Sequence, residues 1–168
     1  SSAASCVCES TLKQSEEKFA KAFQNSPDVV VLTSLPDGKI IETNESFTRI
    51  TEFSIEESLG KTTVELNLWE DLADRERYLE LLRQHGRVQN FETQFRRKSG
   101  EFFAGWISGE TIEMQRSRYV ISVIHDITER KNFENALLIA KQQADAANRQ
   151  LQESLAREEQ MSRTDRLT

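Results

Sequence analysis

Two thiols, two imidazoles and a few neighbouring carboxylates are the reactive groups this chain offers. Cys6 and Cys8 form a Cys-x-Cys step in 168 residues, and the histidines are His85 and His125. A structural zinc site needs four N or S ligands, usually as two spaced pairs, and no second pair follows. Two cysteines this close also exclude a disulfide scaffold. Glu56-Glu57 and Glu70-Asp71 read as solvated helix residues rather than as an acid–base pair. No Gly-rich phosphate loop and no nucleophile elbow occurs. The chain is therefore read as a non-enzyme.

Charge narrows the partners. The chain carries 28 acidic and 22 basic side chains, a net charge of -6. An acidic balance argues against a phosphate-gripping nucleic-acid binder. No apolar run approaches the ~18 residues of a membrane span, and no signal-peptide core opens the chain. Localisation is expected to be cytoplasmic. The seven basic and seven acidic residues from Glu129 onward cancel, so the net charge belongs to residues 1–128. No Gly or Pro follows Gly109.

The elements that would hold any site follow from periodicity. Residues 1–11 are small and polar and read as a disordered tail, and 12–26 as an amphipathic helix ended at Ser26-Pro27. Val29 to Leu35 and Lys39 to Thr43 flank a Pro36-Asp37-Gly38-Lys39 turn, a β-hairpin. Short helical segments follow around Phe47 and at 54–59. Leu72 to Gln84 is a longer helix ended by Gly86. Val88 to Arg97, Phe102 to Met114 and Tyr119 to His125 alternate as strands. The expected fold class is α+β: a five-stranded antiparallel sheet with short helices on one face, then a long C-terminal helix. Both faces of the central strands are apolar, so each needs a cover, and the N-terminal helix or a second copy of the chain is the natural one for the outer face.

From 129 to 164 the pattern is one helix. Phe133, Ala140 and Ala147 recur every seven residues, as do Leu137, Ala144 and Leu151 four further on, which makes an a/d seam. Leu155 lies off it, which hints at a register irregularity. A coiled-coil homodimer is expected, because this helix outruns any surface of a small domain.

These residues also resemble a known family. Leu12 to Lys131 is similar to a PAS domain of the bacterial sensor type. The likeness rests on Ser15-Glu16-Glu17-Lys18-Phe19, on the hairpin from Pro36 to Asn44, and on Phe47 and Glu56-Glu57-Ser58-Leu59-Gly60. It rests also on Asn90-Phe91-Glu92, on Arg97-Lys98-Ser99-Gly100-Glu101, and on the PAC-type exit motif Asp126-Ile127-Thr128-Glu129-Arg130-Lys131. The resemblance implies a PAS domain over 27–128, with a ligand pocket between the sheet and the short helices. It implies signal transmission through Asp126, Ile127, Thr128 and Arg130, with an Asp126–Arg130 ion pair.

The pocket candidates are Trp69, Phe91, Phe95, Trp106, Ile121 and Val123, with Arg96 and Ser108 as polar anchors. Parity alone leaves open which face of each strand lines the pocket. The leading reading is that these side chains fill a core with no cofactor. An apolar small molecule such as a fatty acid, or a non-covalent FAD stacked on a Trp, are the alternatives. A flavin-adduct photosensor is excluded because no Cys follows Cys8. Heme is disfavoured, since His85 stands at the end of its helix, where an imidazole faces water and the helix dipole. Thr164 to Thr168 resembles the opening of a GGDEF domain, so 165–168 is read as the start of a truncated output domain in cis. The expected function is a sensory, dimerising module controlling cyclic di-GMP synthesis. The alternatives are a ligand-free dimerisation or interaction module, or the sensor of a histidine kinase or of a cyclic di-GMP phosphodiesterase.

Overall fold

Gly and Pro punctuate the first two thirds of the chain and set where its elements stop. The computed structural model describes residues 2–167, with side chains from 6 to 163. Helix α1 runs from Ser2 to Asn25. Residues 2–11, within the stretch expected as a disordered tail, therefore belong to this helix. Nothing before Pro27 breaks it, and extending a nucleated helix adds a hydrogen bond per residue without a new nucleation cost.

The hairpin follows as β1 (Val29–Ser34) and β2 (Ile40–Thr43). Helix α2 (Glu45–Thr51) begins at Asn44, whose side chain accepts from the Phe47 N–H, and α3 (Ile55–Ser58) begins at Ser54, which accepts from Glu57. Helix α4 (Leu72–His85) is capped by Asp71 and ends on Gly86 at φ 71°, a left-handed C-terminal stop. Strands β3 (Arg87–Arg96), β4 (Phe102–Met114) and β5 (Ser117–Asp126) follow, then α5 (Thr128–Leu167). The β4–β5 loop is only Gln115-Arg116, with φ of 49° and 66°. A two-residue hairpin loop demands such values, although neither residue type advertises them.

The strands form one antiparallel sheet in the order β2-β1-β5-β4-β3. Its inner face carries Val29, Val31, Ile40, Phe95, Phe103, Ile107, Val120 and Ile124. Phe47 and Ile50 of α2, Phe53, Leu66, Leu68 and Trp69 of the connecting segment, and Tyr78 and Leu82 of α4 close over it. This is the α+β architecture that the strand and helix periodicities predict. Residues 1–128 make one compact unit and 129–168 a second, helical one.

Asn44 locks the entry to this core. It is fully buried, its Oδ1 accepts from the Val30 and Phe47 N–H groups, and its Nδ2 donates to the Phe23 and Asp28 carbonyls. One side chain thus joins the end of α1, the start of β1 and the cap of α2.

Candidate functional site

A cavity of about 80 Å³ lies between the inner face of the sheet and α4. Leu68, Trp69, Tyr78, Phe95, Ile107 and Val120 make most of its apolar wall, with Ser122 and Ile124 from β5. Pro36 and Gly38 of the first hairpin and Arg75 of α4 also line it. Of these, Pro36 is exposed and Gly38 and Arg75 are half-buried, so they form its solvent rim.

Two glycines shape this cavity. A Cβ on Gly105 would come within 2.9 Å of the Phe95 ring, and one on Gly109 within 1.8 Å of the Tyr78 hydroxyl. Glycine inside a strand weakens it, and here it admits an aromatic side chain against the backbone. Tyr78 lies 5.8 Å from the Trp69 ring and 6.1 Å from Phe91, centroid to centroid. Its hydroxyl and the Ser122 Oγ are 2.8 Å apart and both residues are buried. Burial pushes the Tyr78 phenol up to about 12, since a phenolate would be desolvated there, and the Ser122 hydrogen bond only partly offsets this. Trp69 Nε1 donates to Thr63 Oγ1 at 3.2 Å.

The sequence candidates divide between the two faces. Trp69 and Phe95 line the cavity, and Phe91 backs Tyr78. Trp106, Ser108, Ile121 and Val123 lie on the opposite face of the sheet, outside the cavity wall. Trp106 stacks on His125 with centroids 6.2 Å apart. Ser108, Ile121 and Val123 line a separate shallow groove with Asn90 and Glu110. Arg96 sits over the Phe102 ring at 5.0 Å and does not reach the cavity. The correction follows from the strand period of two: in β4 the inner set is Phe103, Gly105, Ile107 and Gly109, and in β5 it is Val120, Ser122 and Ile124. Gly105 and Gly109 were the available signal, because glycine in a strand marks close approach from the packed side. Pairing Gly109 with Ser122 then carries the parity to β5.

Size tests the cofactors. Pockets that hold drug-sized ligands and cofactors measure ~300–1,000 Å³. Neither FAD nor heme fits 80 Å³ unless a wall moves. His85 is exposed and outside the lining, and Cys6 and Cys8 are exposed on α1. Among the described residues, no cluster of three His, Cys, Asp or Glu could hold a metal ion.

The cavity wall leads directly into residues 126–128, where β5 ends and α5 begins. Two residues after Ile124, Asp126 ends β5 and accepts from the Thr128 N–H at 2.9 Å, which caps α5. Its other oxygen meets Arg97 Nη2 at 3.3 Å. Arg130, the partner that the resemblance implies, also bonds Glu134 one turn along at 3.1 Å. Arg97 comes from the β3–β4 turn, is mostly buried, lies 4.5 Å over the Phe103 ring and donates to the Ile50 carbonyl. Sequence separation hid it: 29 residues part Arg97 from Asp126. Ile127 is buried, and its N–H bonds the Ala104 carbonyl at 2.9 Å. Nearby, a hydrogen bond from Lys98 at 3.0 Å holds the Glu57 carboxyl below the ordinary carboxylate range.

In the second unit the seam positions Phe133, Leu137 and Leu151 are 71%, 62% and 58% exposed, and Ala140, Ala144 and Ala147 are exposed beside them. The side chains of 164–168, where the output-domain opening was expected, lie outside the described residues.

An antiparallel sheet closing a cavity with short helices, and feeding a capped helix, defines a sensory-domain fold. The family model for the PAS domain matches residues 27–129, and the chain belongs to that family. PAS domains are sensory, non-catalytic modules of signalling proteins such as histidine kinases. The solved structures agree on the fold. A PAS domain from a two-component sensor histidine kinase is 23% identical at a TM-score of 0.58, over 68% of this chain and 98% of that one. The PAS domain of an HTR-like protein from Haloarcula marismortui is 22% identical, with a TM-score of 0.59 over 71% and 97%. A PAS domain of a LuxR-family transcriptional regulator from Burkholderia thailandensis, in complex with ethanol, is 20% identical, with a TM-score of 0.53 over 65% and 96%. No curated protein matches the chain. Among the described residues, no helix is long and apolar enough to cross a membrane.

Proposed function

We propose that the chain is the sensory and dimerising input of a cytoplasmic signalling protein, in which occupancy of the cavity sets the state of the exit motif. One observation carries this reading. The strand whose inner face walls the cavity, through Val120, Ser122 and Ile124, is the strand that ends in the Asp126–Arg97 pair and the α5 cap. A ligand that displaces β5 by a fraction of an ångström works directly on that pair. The exposed seam of α5 supports a parallel dimer, whose weak Ala-rich register a few kcal/mol can bias. The likeness of Thr164 to Thr168 to a GGDEF opening supports a cyclic di-GMP-synthesising output in cis. No His between His125 and Thr168 offers the phosphoacceptor of a kinase helix.

The test is Ser122→Leu in the full parent protein, which fills the cavity and removes the hydroxyl. Cyclic di-GMP formation is expected to become fixed at one level and insensitive to stimulus. A normal response in the variant overturns the sensory role. The small cavity favours one second reading, a ligand-free dimerisation module, and a single apo mass by native mass spectrometry after purification without additives supports it.

A further inference from the structure

The cavity is lined by apolar side chains and hydroxyls, with one cation, Arg75, at its rim, and this specifies what it takes. We infer that the cavity binds a short-chain monocarboxylate, with its alkyl end against Leu68, Phe95 and Ile124 and its carboxylate at the rim on Arg75. The inference rests on the reading of this cavity as the sensory site.

The donor inventory is short. The Tyr78–Ser122 contact uses one of its two O–H protons, so one remains for a ligand oxygen. Thr63 Oγ1 accepts from Trp69 and keeps its own O–H. Arg75 lines the rim with its Nη2 turned to Gly38, where a Cβ would lie 3.6 Å away. Its side chain is 19% exposed, so its charge acts in a partly desolvated setting, whereas its Glu76 partner is 66% exposed. With Glu76 that open to water the pair contributes little, and it yields to a better-placed carboxylate. An ionised carboxylate accepts at four lone-pair sites and donates nothing, which complements the donor-only, charged Arg75 guanidinium and the remaining hydroxyl protons. An alcohol supplies one oxygen and no charge to pair with Arg75.

Size sets the chain length. A dry cavity of about 150 Å³ takes benzene, with six heavy atoms. On that scale about 80 Å³ holds roughly three to four, and a carboxylate at the open rim adds to this. Propionate and butyrate fit, and longer acids exceed the room.

The experiment uses the 168-residue chain carrying Trp106→Phe, so that Trp69 alone reports. Sodium acetate, propionate, butyrate and octanoate are titrated against ethanol, propanol and butanol, with sodium chloride as the ionic control. Fluorescence and calorimetry are read together. Propionate and butyrate are expected to bind at least about tenfold more tightly than the matched alcohols and than octanoate. Arg75→Gln is expected to remove about tenfold from the acids and leave the alcohols unchanged; a melting curve checks that it folds. Alcohols binding as well as acids, or Arg75→Gln weakening both equally, overturns the carboxylate assignment while the sensory cavity stands. Chloride matching the acids shows an unspecific anion effect and also overturns it. No response to any alkyl probe overturns both the ligand class and the sensory reading.

Discussion

Replacing Gly109 by alanine puts a methyl group where the Tyr78 hydroxyl now lies. The new Cβ would stand 1.8 Å from that oxygen and 2.9 Å from the ring carbon bearing it. A side-chain tip on the surface would swing away, but Tyr78 is only 3% exposed and wedged between Trp69 and Phe91. Moving it breaks the 2.8 Å contact with Ser122 and leaves a buried hydroxyl unpaired, at ~1–3 kcal/mol. Overpacking the cavity wall adds ~1–3 kcal/mol. The expected loss is about 3 kcal/mol, which lowers the melting midpoint of a domain this size by roughly 10 °C. Urea denaturation at neutral pH measures it. The mechanism is specific enough for a double-mutant cycle. Tyr78→Phe alone costs about 1–2 kcal/mol, for it also leaves Ser122 unpaired. In Gly109→Ala/Tyr78→Phe the closest atom is gone, so the double variant loses less than the sum, with a coupling of ~1–2 kcal/mol. Additive losses, or a Gly109→Ala variant within ~0.5 kcal/mol of the parent, would refute the close approach as the reason for glycine here.

Three further outcomes follow from the same geometry. Because the folded Tyr78 phenol is raised to about 12 from its ordinary value near 10, its contribution is complete below pH 10 and is lost as pH rises toward 12. Base denaturation should therefore be steeper in the parent than in Tyr78→Phe, with the parent-minus-variant absorbance at 295 nm titrating near the unfolding step. Asn44→Ala should cost about 3 kcal/mol or more, by orphaning buried backbone groups on three elements, and should speed amide exchange at the end of α1; unchanged exchange counts against the clasp. Leu137→Asp, on the seam, is expected to shift the chain to monomer by sedimentation velocity. Leu138→Asp, off the seam and 55% exposed, should leave the oligomer intact. Equal effects would remove the heptad argument.

Much of the architecture was legible because it depends on local signals. Pro36-Asp37-Gly38 fixes the first hairpin, Gly86 stops α4, and the Phe133–Leu151 seam writes a helix. The first residues were misread as a tail for the same reason: helix extension there depends on the already formed segment from Leu12 onward rather than on local composition. The Gln115-Arg116 loop was also silent, since its left-handed conformations are imposed by the two strands it joins.

The site was half legible. Trp69 and Phe95 were found from their chemistry and position, whereas Trp106, Ser108, Ile121 and Val123, offered as candidates with the face left open, stand outside the cavity lining. A one-residue shift in parity moves every side chain to the other face. Both faces of these strands are apolar, so alternation alone gives two sets without saying which one is covered. Only the packing of α4, with Tyr78 seated on Gly109 and bonded to Ser122, decides between them. Arg97 and Asp126 show the same limit, since their pairing depends on a turn and a strand end that meet only when β4 folds between them. The sequence by itself determined the elements, their order and the family. Tertiary structure decided which face holds the cavity, how little room it leaves and which charge anchors the exit, because these depend on contacts between residues far apart in the chain.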